Sequence, residues 1–362
     1  MAENPNAIRP SRPTISIDGR QREELTGGLL GLLVVEELAG LYRCEALFGN
    51  WGNVKNGTAT GEPDFLYFDR QTLEFGKTLQ VTYDNAVLFE GRIMALEAQF
   101  PAGEDKTITA LAEDRFQDLR MTRRTRTWLD TTDEAVVRDI ASNHGLSAEV
   151  DVPGGQHRVL AQVNQSDLAF LRQRGRAIGA EVWTAGGRLY AKTRAARTSG
   201  GDPPLELAYN ARLKEFSALA DLANQRTEVS VTGWDVAGKQ AIKHAAGSSI
   251  LSGELNGDVS GPAIVQQVLG ARQEQLVHTV PTNASEAQAT AEAFYRTSAR
   301  QFVTGHGRAE PQATLHVGKF VQLTGLGPLF SGKYYVTEVR HIFDGSGLRT
   351  EFAVERAGIG RP

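Results

Sequence analysis

The nearest approach to a catalytic pattern is Gly327-Pro-Leu-Phe-Ser-Gly-Lys-Tyr334, whose glycines and lysine stand at the spacing of a phosphate-binding loop. Such a loop needs a Ser or Thr hydroxyl after the lysine for Mg²⁺, and a helix behind it whose free N–H groups take the phosphates. Here Tyr334 follows the lysine, and Tyr335-Val-Thr-Glu-Val-Arg-His-Ile342 alternates with the period of a strand. The segment therefore reads as a hairpin turn. The seven histidines form no HxH or HxxxH pair. Gly305-His306-Gly307 reads as a surface loop, with a ligand-contacting loop as the alternative, and His316 and His341 read as structural histidines in strands. Cys44, the single cysteine, lies in the alternating run Tyr42-Arg-Cys-Glu-Ala-Leu-Phe48 and reads as a buried strand residue, since a free thiol packs as a small hydrophobe. No Gly-x-Ser-x-Gly elbow occurs and no carboxylate pair stands out. These patterns assign no catalytic, cofactor-binding or metal-binding residue, so the chain reads as non-enzymatic and without a cofactor.

Arg120-Met-Thr-Arg-Arg-Thr-Arg-Thr-Trp128 is locally basic. It would suit nucleic acid or an acidic partner, but without aromatic stacking platforms around it a solvated strand with snorkelling arginines fits better. The net charge of −4 over 362 residues gives no global attraction to nucleic acid or anionic membrane. Met1-Ala-Glu-Asn-Pro-Asn lacks the basic and apolar regions of a signal peptide. The longest apolar run, Leu29-Leu-Gly-Leu-Leu-Val-Val35, is too short to span a bilayer and reads as a strand buried on both faces. One cysteine rules out a disulfide framework, and synthesis in the cytoplasm without stable membrane insertion is expected.

The elements fall into three units. Residues 1–120 carry strand patterns over Thr14–Ile17, Val34–Phe48, Thr78–Val81, Val87–Phe100 and Thr107–Ala112, interrupted by a Gly- and Asn-rich loop insertion at about 49–70. Residues 121–202 change period: Thr131-Thr-Asp-Glu134 matches a capping box before one helix, and Ser166-Asp167 opens a second that Gly179 can stop. A hairpin over 181–192 turns at Ala-Gly-Gly, and 198–204 is a linker by composition. Residues 203–362 return to strands, interrupted at about 238–309 by a polar, Gly-rich stretch and helical patterns over 262–269 and 285–302.

The two β-units echo each other. Phe75-Gly-Lys-Thr-Leu-Gln-Val81, then Leu88-Phe-Glu-Gly-Arg92, then Thr107-Ile-Thr-Ala-Leu-Ala-Glu113 recur in order as Val317-Gly-Lys-Phe-Val-Gln-Leu323, Leu329-Phe-Ser-Gly-Lys333 and Thr350-Glu-Phe-Ala-Val-Glu355. A period this long excludes solenoids and propellers and leaves one small β-domain present twice. The fold class expected is α+β, mainly β: two related small β-barrels, an α+β unit between them and a partly helical insertion in the second. The barrels should close separately, sparing exposed strand edges, rather than merge into one sheet.

Gln162-Val-Asn-Gln-Ser-Asp-Leu-Ala-Phe-Leu-Arg-Gln-Arg-Gly-Arg-Ala-Ile-Gly179 resembles the signature of the phage late-control gene D family and the valine-glycine-repeat spike proteins. Gln165, Asp167, Phe170, Leu171, Arg172 and Gly179 match the motif, whereas Val163 and Leu168 replace its two aromatic positions. The resemblance spans nearly the whole chain and implies the baseplate hub of a contractile tail or injection system. That hub is a homotrimer joining the sixfold tail tube to the threefold spike, with a tube protein, other baseplate proteins and, because the chain stops at Pro362, a separate spike or needle protein as expected partners. It offers no catalytic residues to carry over. Two like units in each of three chains would give a pseudo-sixfold ring, with the 120–192 unit outside it and the insertion, through Phe294, Tyr295 and Phe302, touching a neighbour. A tail-associated cell-wall hydrolase, needing a carboxylate pair or zinc cluster, and a carbohydrate-binding β-module, needing an exposed aromatic patch, are the alternatives.

Overall fold

The computed structural model describes residues 12–55, 58–201, 203–235, 238–277 and 281–362; the opening hexapeptide lies outside them. The first unit contains β1 (Thr14–Ile17), α1 (Glu23–Gly28), β2 (Leu29–Glu37), β3 (Arg43–Gly49), the hairpin β4 (Trp51–Lys55) and β5 (Thr58–Phe65), then β6 (Thr78–Tyr83), β7 (Ala86–Gln99) and β8 (Thr107–Glu113). Six strands run in the order β2-β3-β8-β7-β6-β1. Their alternation sends Ile15, Val34, Phe48, Val81, Ile93 and Ala110 into one core. A single cluster fed by every strand requires the sheet to roll around it. The Gly- and Asn-rich insertion expected as a loop carries the β4–β5 hairpin. Nor is the 29–35 run buried on both faces, because Leu30 stands 52% exposed near the strand's start.

The middle unit holds β9 (Arg123–Thr132), α2 (Asp133–Asn143), β10 (Ser147–Asp151), β11 (Gln156–Ser166), α3 (Asp167–Ile178), β12 (Ala180–Ala185), β13 (Arg188–Thr193) and α4 (Arg194–Thr198). Its β9–β11 pair and its three-stranded β10-β13-β12 sheet form no ladder with the main sheet, and α2 and α3 close a core of their own around Ile140, Phe170 and Leu171. The cap of α2 lies one residue later than the capping box suggests: Thr132, not Thr131, accepts the Ala135 N–H, and Glu134 reaches forward to Arg138. The β12–β13 turn falls at Gly186 and Gly187, both with positive φ.

The second unit comprises β14 (Leu205–Ala208) and β15 (Leu213–Ala220), followed by the interruption, which contains β16 (Glu228–Asp235), β17 (Gln240–Gly247), α5 (Gly261–Leu269), β18 (Gln273–Leu276) and α6 (Ala284–Arg300). It resumes with β19 (Val303–Ala309), β20 (Phe320–Thr324), β21 (Gly332–Asp344) and β22 (Gly347–Arg356). The interruption thus occupies 221–302 rather than 238–309: β16 pairs with β17 and β18, whereas β19 pairs with β15 and β22. Strand β17 lies in a stretch whose polar, Gly-rich composition hid it. Around the second core of Leu207, Val303, Val321, Val336, Phe352 and Val354 the order is β15-β19-β22-β21-β20-β14, element for element that of the first unit. One strand differs in direction, β1 running antiparallel to β6 but β14 parallel to β20.

The duplication extends to irregularities. Gly76 and Gly318 have φ of 81° and 86°, which a side chain would strain. Their N–H groups donate to the carbonyls of Ile93 and Val336, whose own N–H groups donate to those of Lys77 and Lys319. Register then shifts at Ile93/Ala95 in one unit and at Val336/Glu338 in the other. The β2–β3 shift at Leu29/Gly31 is repeated in β15–β19 at Leu213/Glu215. The middle block of the sequence echo is out of step, since Leu79 faces Gly91 but its counterpart Val321 faces Tyr334. Asp84 and Asn85 make a two-residue turn in the first copy, whereas a helical turn over Gly327–Phe330 lengthens the second.

The barrels do not close separately. Strand β2 lies antiparallel along the second half of β21, from Glu338↔Glu37 to Phe343↔Leu32, so both units belong to one continuous sheet. The cause is the length of β21, which runs past β20 and offers a further edge that β2 covers.

Candidate assembly interface

The signature residues hold the middle unit together and dock it. Ser166 accepts the Ala169 N–H at 3.2 Å and caps α3, which Gly179 ends with φ 66°. Asp167, at the first helical position, is buried and accepts from Arg126 at 2.6 Å, from Gln162 at 2.9 Å and lies 2.8 Å from His144 Nε2. Burial would raise its carboxyl pKa; Gln162, His144 and Arg126 outweigh burial and hold it below the ordinary range. The matching glutamine of the motif, Gln165, bonds Gln173 at the surface, while Gln162 serves the aspartate. Phe170 is buried and stacks on Trp128, which Arg126 covers at 4.6 Å. The basic run is therefore a pinned strand face: Arg120 pairs with Glu113, Arg123 donates to the Asn164 carbonyl, and Arg124 and Arg126 meet Asp167.

Two seams join the units. Arg172 donates to the carbonyls of Ala39 and Gly40 in the β2–β3 turn, at 2.7 and 2.9 Å. On the other side Arg194 and Arg197 converge on Glu181, with Arg194 also bonded to Glu355 and lying 3.7 Å over the Tyr335 ring. The guanidinium of Arg194 is held protonated: burial would lower its pKa, but Glu355 and Glu181 reverse that. Glu36 of β2 accepts from the Val317 N–H at 3.1 Å and lies 2.8 Å from His316 Nδ1, tying the two β-units at their shared strand.

The remaining sequence candidates resolve as structure. Gly305-His306-Gly307 is not a loop but lies within β19, where a Cβ at Gly305 would collide with Phe216 and one at Gly307 with Phe352. His341 is fully buried between Val34 and Thr350, and burial depresses its pKa to about 4. Cys44 is buried, which pushes its thiol pKa up. Lys333 of the loop-like motif covers the Phe320 ring at 4.0 Å, and a strand rather than a helix follows. Among the described residues no group of three or more His, Cys, Asp or Glu could hold a metal ion, and no helix is long and apolar enough to cross a membrane.

What remains open is sheet edge. β15 ends the strand path, and residues 95–99 of β7 pair only with β8, so each carries an outer edge with no strand partner among the described residues. Leu219 on the first edge is 62% exposed, and Phe100, just beyond the second, 61%. Phe100 joins Phe65, Phe68 and Trp51 in an aromatic cluster that sequence reasoning did not single out. The insertion's aromatics, expected to face a neighbour, pack within the chain: Tyr295 enters the insertion's own core, Phe302 the second barrel's, and Phe294 packs beside the former.

This fold, a rolled antiparallel sheet with a helical unit docked beside it, is similar to that of solved phage tail proteins. A family model described as the Alg8 N-terminal domain matches residues 56–344, and the chain belongs to that family. The 43 kDa tail protein of prophage MuSo2 from Shewanella oneidensis is similar in structure, with a TM-score of 0.68 at 14% identity, covering 96% of this chain and 98% of that one. The tail protein from Neisseria meningitidis MC58 gives 0.65 at 10% identity, covering 96% and 97%. The E. coli c3393 protein, described as a type VI secretion system component similar to the T4 bacteriophage tail proteins gp27 and gp5, gives 0.59 at 11%, covering 96% and 79%. None of the curated proteins matches in sequence.

Proposed function

We propose that the chain is a non-enzymatic baseplate hub of a contractile tail or contractile injection system, acting as a homotrimer between a sixfold tail tube and a threefold spike. The observation carrying this reading is that the two β-units repeat strand order, bulges and a positive-φ glycine with its hydrogen bonds, and sit as adjacent sectors of one sheet. Three copies would present six such sectors to the tube and three equivalent faces to the spike. The fold shared with tail proteins and a secretion-system component supports it. Synthesis in the bacterial cytoplasm and assembly with tube, spike and other baseplate proteins follow from it.

The carbohydrate-module alternative gains the exposed aromatic patch it needs. Yet Phe65 and Phe68 stack at 4.7 Å, Trp51 and Phe100 meet Phe65 at 77°, and Lys106 lies 4.1 Å over Trp51, so the rings serve one another rather than a flat sugar platform. Light scattering on the full chain decides between them: the hub reading expects three times the 39.3 kDa chain mass, and a stable, monodisperse monomer at micromolar concentration contradicts it.

A further inference from the structure

We propose that the outer edge of β15 in one copy pairs antiparallel with the free half-edge of β7 in the next, in a register set by the joint inside the chain; this rests on the hub reading and specifies its partner surface. Strands β2 and β15 are counterparts, as are β21 and β7, each pair anchored by a shared register shift. The internal joint runs β2 along the second half of β21. Carrying each residue to its counterpart turns Glu338↔Glu37 into Ala95↔Asp221, His341↔Val34 into Ala98↔Ala218, Ile342↔Leu33 into Gln99↔Ser217, and Phe343↔Leu32 into Phe100↔Phe216.

The residues suit such pairing. Between 216 and 220 the sequence is Phe-Ser-Ala-Leu-Ala, and between 95 and 99 Ala-Leu-Glu-Ala-Gln. Neither stretch has the lysine, proline or bulge with which a solvent-facing edge is normally protected, and Glu97 is the one charge in the two. Pairing would cover Leu219 and bring Phe100, at the end of the aromatic cluster, opposite Phe216, which already packs against Tyr334. Because the contact joins two different surfaces of the chain, it is head-to-tail and closes into a ring when the rotation per joint permits.

Cysteine pairs in the full chain test the register. Ala98→Cys with Ala218→Cys, and Gln99→Cys with Ser217→Cys, cover both hydrogen-bonding phases of the ladder; Ala98→Cys with Ala220→Cys is two residues out of step. Buried Cys44 is shielded from the oxidant. Mild oxidation should give covalent dimers and trimers on non-reducing denaturing gels for at least one in-register pair, at least tenfold more than for the out-of-step pair or the single-cysteine chains. Preferential cross-linking of the out-of-step pair overturns the register. Trimers by light scattering without any cross-link overturn this interface but leave the hub reading standing, whereas monomers without cross-links overturn both. As a second variant, Leu219→Asp sets a like charge opposite Glu97 on exposed positions: an unchanged trimer with unchanged dissociation on dilution would count against the pairing, and trimer loss with intact circular dichroism would support it.

Discussion

At Asp167 one buried carboxylate serves Arg126, Gln162 and His144, with Arg124 at 3.3 Å. Replacing it with Ala strands those partners, so Asp167→Ala should lower stability by about 3 kcal/mol in urea denaturation, and Asp167→Asn by less. Two other buried groups give opposite pH signatures. His341 titrates near pH 4 in the fold against 6.5 unfolded, because burial disfavours its cation. The unfolded chain therefore takes the proton first, and this contribution is intact above about pH 6.5 and lost as pH falls towards 4. His341→Gln should flatten that part of a stability–pH curve. Asp114 is raised to about 7, chiefly by burial, so the folded chain takes the proton first and the contribution, full near pH 4, is lost as pH rises through 7. Asp114→Asn should therefore stabilise the protein on the order of 2 kcal/mol at pH 8 and hardly at all at pH 4, measured by thermal melts with pH as the variable. Cys44, Ser166 and Gly179 were legible in the sequence because burial by alternation, capping and helix stopping are local. The roles of Arg126 and Arg172 were not, since their acceptors stand 36 and 41 residues away for the first and 132 and 133 for the second.

Counterpart elements allow counterpart experiments. Gly76 and Gly318 share a left-handed conformation, but a Cβ at Gly76 meets open space while one at Gly318 runs into the Arg197 guanidinium. Arg197 is held by Glu181 and the Val317 carbonyl and cannot yield cheaply. Gly76→Ala should cost about 1 kcal/mol of backbone strain and Gly318→Ala about 3 kcal/mol, read as the difference between two thermal unfolding midpoints; equal losses would contradict the account of the Arg197 seam. Helix α3 and the β12–β13 hairpin were readable because each is defined by capping, periodicity or a Gly-Gly turn. Merging of the two barrels was not. Period-two alternation tells which face of β21 is buried but not which strand lies along its edge, and its partner β2 sits some 300 residues earlier. Strand β17 escaped for a related reason: Gln240-Ala-Ile-Lys-His-Ala-Ala-Gly247 owes its conformation to pairing with β16 rather than to its own propensity.

At the scale of the whole molecule, sheet continuity replaces the two closed barrels as the unit of construction. Each chain already contains one joint between sectors, and two of the edges left over, on β15 and β7, are the counterparts of the edges that joint uses. A closed ring is the arrangement in which every such edge is paired, and in a trimer it holds six sectors with the middle units, whose core is separate, outside the sheet. Electron-microscopy averages of the purified full-length protein viewed end-on test this most directly. The account predicts a ring with threefold symmetry, six similar lobes around a central opening and three further densities outside it; isolated two-lobed particles, or rings with any other number of sectors, would contradict it.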